Sequence, residues 1–254
     1  MAAMAGRINN AIYDALGERW YAAQDDPVAL LRAEATYRVP WLLHEMAHRC
    51  GPGPLRVVDL GCGAGFVANA LAKHGHEVTG VDASEASLAV AGRYDETRSV
   101  RYVIGDARYV PLNDGVADVV CAMDLLEHVD DPAAVITEAS RLLRPSGVFF
   151  FHTFNRSWLA WLVVIQGVRW FVRNTPANLH VLHLFLRPCE VQAMAEACGL
   201  RVEEMRGFEP VLFSRAFFRL LVTRVVPKDF AFRFTRSTRI AYSGLAVKQA
   251  PART

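Results

Sequence analysis

Residues Leu55–Phe66 read L-R-V-V-D-L-G-C-G-A-G-F, and this stretch decides the fold. Its first half is a short apolar run with β-branched residues, the pattern of a strand buried on both faces. The run enters Gly61-Cys62-Gly63-Ala64-Gly65 directly, where a Cβ would keep the turn from folding tightly against a ligand. Phe66–His74 then reads as a helix closed by Gly75. Strand, glycine turn and helix open an α/β unit. In a doubly wound sheet that turn lies at the carboxyl end of the first strand, where ligands bind.

The same alternation continues outward. Glu77–Asp82 reads as a second strand, Ser84–Gly92 as a helix with Ser84 as N-cap, and Val100–Ile104 as a third strand. Ala117–Met123, a helix over Pro132–Leu143, a turn at 144–147 and Val148–Phe154 complete a run of parallel βαβ units. The rhythm then breaks at 155–186, which is aromatic, basic and free of acids. A helix at Cys189–Cys198, a strand at Leu200–Met205, a second basic-aromatic stretch over 208–238 and a strand at Ile240–Lys248 follow.

Composition supports a packed protein: of 254 residues, 52% are hydrophobic and 21% charged, which excludes global disorder. The net charge of +2 gives no argument for nucleic acid, but its distribution is uneven. Segments 152–187 and 206–248 hold 13 Lys/Arg against Glu209 and Asp229, so they carry +11 and the rest −9. Such asymmetry points to a surface that meets something anionic. Five cysteines without a C-x-x-C pair suggest neither zinc nor disulfides, and a reduced cytoplasm is the expected setting. The start lacks a basic-then-apolar signal pattern, and the longest apolar run, Trp158–Ile165, is far shorter than the roughly 20 residues of a spanning helix.

Asp82 ends the second strand 21 residues after Gly61, the distance at which a carboxylate grips a ribose diol. A dinucleotide fold offers the same pair, so the details arbitrate. The glycines follow G-x-G-x-G, with Phe66 where G-x-G-x-x-G needs its last glycine. Asp59 precedes the first glycine by two positions, where it can hold the loop and, through water, an ammonium group that a pyrophosphate would not offer. Gly105-Asp106-Ala107 follows the third strand.

Together these motifs resemble the class I S-adenosylmethionine-dependent methyltransferases. The stretch C-A-M-D-L-L-E-H-V (Cys121–Val129), the R-P-S-G turn and F-F-F-H-T-F-N-R up to Arg156 are similar to the ubiquinone-biosynthesis O-methyltransferases. Arg19-Trp20-Tyr21, Tyr37-Arg38 and the Y-S-G-L-A-V-K ending resemble that family too. The family's Asp after the first His of H-V-L-H (180–183) is missing, and 208–238 matches loosely. The resemblance implies one Rossmann-like domain over 1–254 with a doubly wound sheet of seven strands, mostly parallel, the last antiparallel. Within it, 8–50 would be a helical cap, 55–155 the cofactor core, and 156–187 and 208–238 lid or membrane insertions. S-adenosylmethionine would be the cofactor, contacted by Arg38 at its methionine carboxylate and by Gly61, Gly63, Gly65, Asp82, Asp106, Ala107 and Met123. Asp106 would accept the adenine amino group, and Met123 would line the adenosine.

Methyl transfer to a phenol requires loss of a proton whose pKa is near 10. Glu127 and His128, at the mouth of the fourth strand, are the candidate bases, and His128 is the better acceptor near neutrality. His152, within the fifth strand, is a weaker candidate, and His180 and His183, three apart, give a weak metal signal. Asp124, Glu127 and His128 form D-x-x-E-H, similar to the family's E-x-x-E-H, and could converge on a Mg²⁺ that binds a catechol. From Trp158 to Arg173 large apolar residues recur at helical spacing with Arg169 and Arg173, the pattern of a helix lying on an anionic membrane. The expectation is therefore an O-methyltransferase for a lipophilic phenol or catechol, cytoplasmic or peripheral on the inner membrane face, with biosynthetic-complex partners as a further expectation. Three alternatives stay open: a natural-product methyltransferase on the same scaffold, an NAD-dependent oxidoreductase, and a non-catalytic cofactor-binding partner.

Overall fold

Alternating burial along the central strands builds the core. In β1 (Arg56–Leu60), Val57 faces one side of the sheet and Val58 and Leu60 the other. In β4 (Ala117–Met123), Val119, Cys121 and Met123 alternate with Val120 and Ala122. A sheet apolar on both faces must be covered on both. Helices α2 (Val28–Cys50) and α3 (Phe66–Lys73) cover one face through Leu42, Met46 and Leu71. Helices α5 (Pro132–Leu142) and α8 (Pro188–Ala197) cover the other through Ile136, Ala139, Val191 and Ala195.

The structure, a computed structural model, describes residues 10–250; the expected extent of the domain at 1–9 and 251–254 lies outside the described residues. The remaining elements are α1 (Arg19–Ala22), β2 (Glu77–Asp82), α4 (Glu85–Tyr94), β3 (Arg101–Ile104), β5 (Leu143–Phe154), α6 (Trp158–Ala160), α7 (Val168–Phe171), β6 (Leu200–Pro210), α9 (Arg215–Thr223), β7 (Phe232–Thr235) and β8 (Ala241–Lys248). Strand order is β3-β2-β1-β4-β5-β8-β6-β7, parallel from β3 to β5 and antiparallel beyond. The order reverses between β1 and β4, which opens a crevice above their carboxyl ends.

Two expectations need correction. The sheet has eight strands rather than seven, because β7 pairs with the extended end of β6 through Gly207↔Thr235 to Pro210↔Phe232. The turn expected at 144–147 is absorbed into β5, which pairs Ala117↔Leu143 and carries its irregularity as Ser146 at φ +63°. The helix expected over 158–173 forms from Trp158 to Phe171, with its middle, Trp161–Gly167, wound as a wide π turn.

Candidate active site

The crevice holds one cavity of about 1460 Å³ with two chemically distinct halves. The polar half is built by the ends of β1, β2 and β4. Gly61, Gly63 and Gly65 have φ of +66°, +52° and +80°, the left-handed region that glycine adopts without strain. A Cβ at Gly61 would stand 2.7 Å from Leu125 Cδ1, so this glycine is needed to fit the loop under the end of β4. Gly65 does not line the cavity; it starts α3, and a Cβ there would stand 2.8 Å from the Tyr102 hydroxyl. Its part in binding is indirect, through the shape of the loop.

Asp82 is held in place by two backbone donors: Gly63 N to Oδ2 and Ser84 N to Oδ1, each 2.8 Å. Each oxygen keeps a lone pair for a ligand. Burial raises its pKa. Asp59 is almost fully buried at the cavity wall, and desolvation together with Asp82 pushes its carboxyl up to about 7. Asp106 and Ala107 also line the cavity, and Asp106 is more exposed, paired with Arg108 (Nη2–Oδ2 2.6 Å). Met123 lines it from the end of β4.

Arg38 is buried on α2 and bidentate to Asp124, at 2.7 and 2.5 Å, with Glu34 Oε2 at 3.3 Å. Desolvation opposes its charge, but Asp124 and Glu34 outweigh that and raise its pKa. Glu34 is pushed up to about 8 by burial. The sequence reading missed Glu34, Tyr13, Ser84 and Leu125, which come to the cavity wall from unrelated elements. Glu34 lies four residues before Arg38, an ion-pair spacing on a helix that could have flagged it. Trp20 Nε1 is buried at this wall without a hydrogen-bond partner in the protein.

The apolar half is lined by the helix over 158–171 (Leu162, Val168, Phe171) and by Phe208, Leu220 and Phe232. His128 lies at the junction, near His180 with ring centroids 5.4 Å apart. Burial pushes His128 down to about 4, although Asp124 opposes this, so its imidazole is neutral at pH 7. Glu127 does not share the wall: its Oε2 accepts from Thr153 Oγ1 at 2.7 Å, and burial raises it to about 8. His152 is fully buried, its Nδ1 bonded to Ser243 Oγ at 2.8 Å. His183 lies in a short turn over Leu182–Leu184, outside the cavity lining.

The expected metal triad does not assemble. Asp124 is held by Arg38, Glu127 by Thr153, and His128 Nδ1 lies 3.3 Å from Asn10 Oδ1. Among the described residues, the three donors within 4.8 Å of one another are those of Glu34, Asp124 and His152. The Arg38 guanidinium is bonded to this group and would repel a divalent cation. These residues do not fit Mg²⁺.

A methyltransferase domain matches residues 58–151. The ubiquinone biosynthesis O-methyltransferase of Thiobacillus denitrificans is 39% identical over 155 residues, 60% of this chain and 67% of that protein. The enzyme of the same name from Bordetella bronchiseptica is 34% identical over 203 residues, 78% of this chain and 81% of that protein. The magnesium protoporphyrin IX methyltransferase of Synechocystis shares the fold at a TM-score of 0.59 and 18% identity, over 96% of this chain and 90% of that one.

Proposed function

The chain belongs to the ubiquinone biosynthesis O-methyltransferase family, whose members depend on S-adenosylmethionine, and on that premise we propose that its acceptor is a lipophilic phenol or catechol. One observation carries the reading: polar and apolar halves form a single cavity, with a neutral histidine where they meet. A charged cofactor suits the first half and an apolar tail the second. The NAD-dependent reading falls with family membership.

When bound, S-adenosylmethionine supplies an electrophilic methyl group on a sulfonium. The Asp82 carboxylate would accept hydrogen bonds from the ribose diol. Asp59 would face the ammonium group, whose charge draws its pKa back down. Asp106 would accept from the adenine amino group, with Ala107 and Met123 against the ring. Arg38 would reach the carboxylate by loosening its pairing to Asp124. His128 Nε2 would take the phenol proton as the oxygen attacks, since a protonated phenol is a poor nucleophile. The walls of the apolar half exclude water and orient the acceptor in line.

The lid helix also exposes residues that do not line the cavity, Trp158 at 74% and Trp161 at 41%, with Arg169 and Arg173 further along the same stretch. No helix among the described residues is long and apolar enough to cross a membrane. Tryptophans with arginines favour the headgroup layer, so the lid would rest on an anionic bilayer and admit a lipophilic acceptor from it. Flotation with anionic vesicles tests this: loss of binding on Trp158→Glu with Arg169→Glu is expected, and unchanged binding discards the membrane role. For the reaction, the chain is incubated with methyl-labelled S-adenosylmethionine and a panel of phenols, catechols and amines. Label on a phenolic oxygen is expected; label confined to amines, or none, overturns the acceptor class.

A further inference from the structure

The 3₁₀ turn over Asn10–Ala15 belongs to the N-terminal cap, yet it lines the cavity from the Asp82 loop to His128 at the junction. Asp14 Oδ1 accepts from Ser84 Oγ at 2.5 Å, beside the Asp82 loop. Tyr13 stacks on Trp20 with centroids 5.5 Å apart and meets the His128 ring edge-on at 5.8 Å. Asn10 then reaches 118 positions along the chain to His128 itself. Its Nδ2 donates to the His128 carbonyl at 2.9 Å, and its Oδ1 lies 3.3 Å from His128 Nδ1.

This pair of contacts bears on where the ring proton sits. A primary amide has one donor end and one acceptor end, and a backbone carbonyl only accepts. The carbonyl therefore takes the NH₂ end, and the end facing the ring is oxygen. An oxygen beside Nδ1 is satisfied only if Nδ1 carries hydrogen; the other tautomer would set two lone pairs against each other. A neutral imidazole with hydrogen on Nδ1 has its lone pair on Nε2. The ring is buried and neutral at pH 7, so the choice of tautomer is a real one.

We propose that Asn10 is a positioning residue that fixes His128 as the Nδ1–H tautomer and aims its Nε2 lone pair into the cavity. The catalytic consequence rests on the reading of His128 as the proton acceptor. The logic is that of the buried aspartate of a serine-protease triad, whose loss leaves the histidine in the wrong tautomer. Here the orienting group is neutral and its contact longer, so the effect is smaller, about 10-fold. Because the turn also meets Ser84 and stacks on Trp20, the proton acceptor is organised by the segment that closes over the cofactor half.

The test uses the full chain labelled with ¹⁵N-histidine, the His128 signals being assigned by their loss in His128→Asn. The wild-type spectrum should show hydrogen on Nδ1. Asn10 is exposed, so Asn10→Ala leaves the core intact. That variant should shift His128 toward the Nε2–H form and lower kcat about 10-fold, with both KM values changed less than about twofold. Asn10→Asp keeps an acceptor for Nδ1–H but loses the donor to the His128 carbonyl, so it should recover the tautomer and only part of kcat. An unchanged tautomer in Asn10→Ala overturns the proposal, as does a KM change at constant kcat. The two readings fail separately. Wild-type kcat in His128→Asn removes the base and leaves the tautomer spectrum to judge Asn10; an inactive His128→Asn with an indifferent Asn10→Ala spectrum removes Asn10 and leaves the base.

Discussion

The two halves of the cavity are held by different physics. In the polar half, position comes from the backbone: positive-φ glycines, a carboxylate pinned by two N–H donors, and strand ends locked in register as Asp59↔Gly80 and Asp82↔Ile104. In the apolar half, the strands carry the backbone but the lining side chains are placed by packing. Phe208 stacks on Phe232 at 5.3 Å, and Val172, Leu220 and Phe230 fill the space around them. Hydrogen bonds are directional and demand particular residues at particular spacings. Packing accepts many residues of suitable volume. The first half can therefore bind one ligand by rule, while the second can be reshaped for different acceptors.

The halves meet at Phe208, whose ring lies 5.7 Å from the Arg38 guanidinium carbon. Phe208→Ala should be the most severe change, costing about 3–5 kcal/mol of stability through the cavity it leaves. Chemical denaturation measures it. A loss below about 1 kcal/mol would mean that the halves are not mechanically joined there.

Asp82→Ala should act on one half only. Removing both ribose hydrogen bonds should weaken cofactor binding by about 2–4 kcal/mol, with little change in acceptor KM. Calorimetry giving wild-type cofactor affinity would break the assignment, and a matching loss of acceptor binding would break the separation of the halves.

The smallest effect concerns pH. Burial raises Asp59 to about 7 and Glu34 and Glu127 to about 8, so the folded chain holds protons that the unfolded chain releases near pH 4. Their contribution to stability is present at low pH and lost as pH rises through those values. The buried histidines pull the opposite way: His128 at about 4 and His180 at about 3 favour folding above their ordinary pKa and lose that contribution as pH falls below it. Above about pH 6.5 only the carboxyls remain in play. The Tm of the cofactor-free chain should therefore fall by about 2–4 °C between pH 6.5 and 8. Glu127→Gln should flatten the slope. A flat or rising Tm in the parent chain would show that these carboxyls ionise freely.

The boundary between what could and could not be read follows the same division. Leu55–Gly65, Asp82, Asp106 and the D-L-L-E-H turn were legible because each sits at a strand end, at a spacing set by the rise of a strand and the length of a helix. Strand β7 was legible in principle through the alternation of Phe232 and Phe234 with Arg233 and Thr235, but its basic flanks read as an insertion. What the amino-acid order determined by itself was the local geometry: which residues form strands, where glycine must turn the chain, and which carboxylate ends β2. Tertiary structure alone decided how the side chains share their partners. It gave Asp124 to Arg38 rather than to a metal, turned Glu127 toward Thr153, left His128 at the cavity, and brought Asn10 to it across 118 positions. Those choices depend on burial and long-range contact, and a carboxylate or imidazole in a linear sequence carries no record of which neighbour will be closest once water is removed.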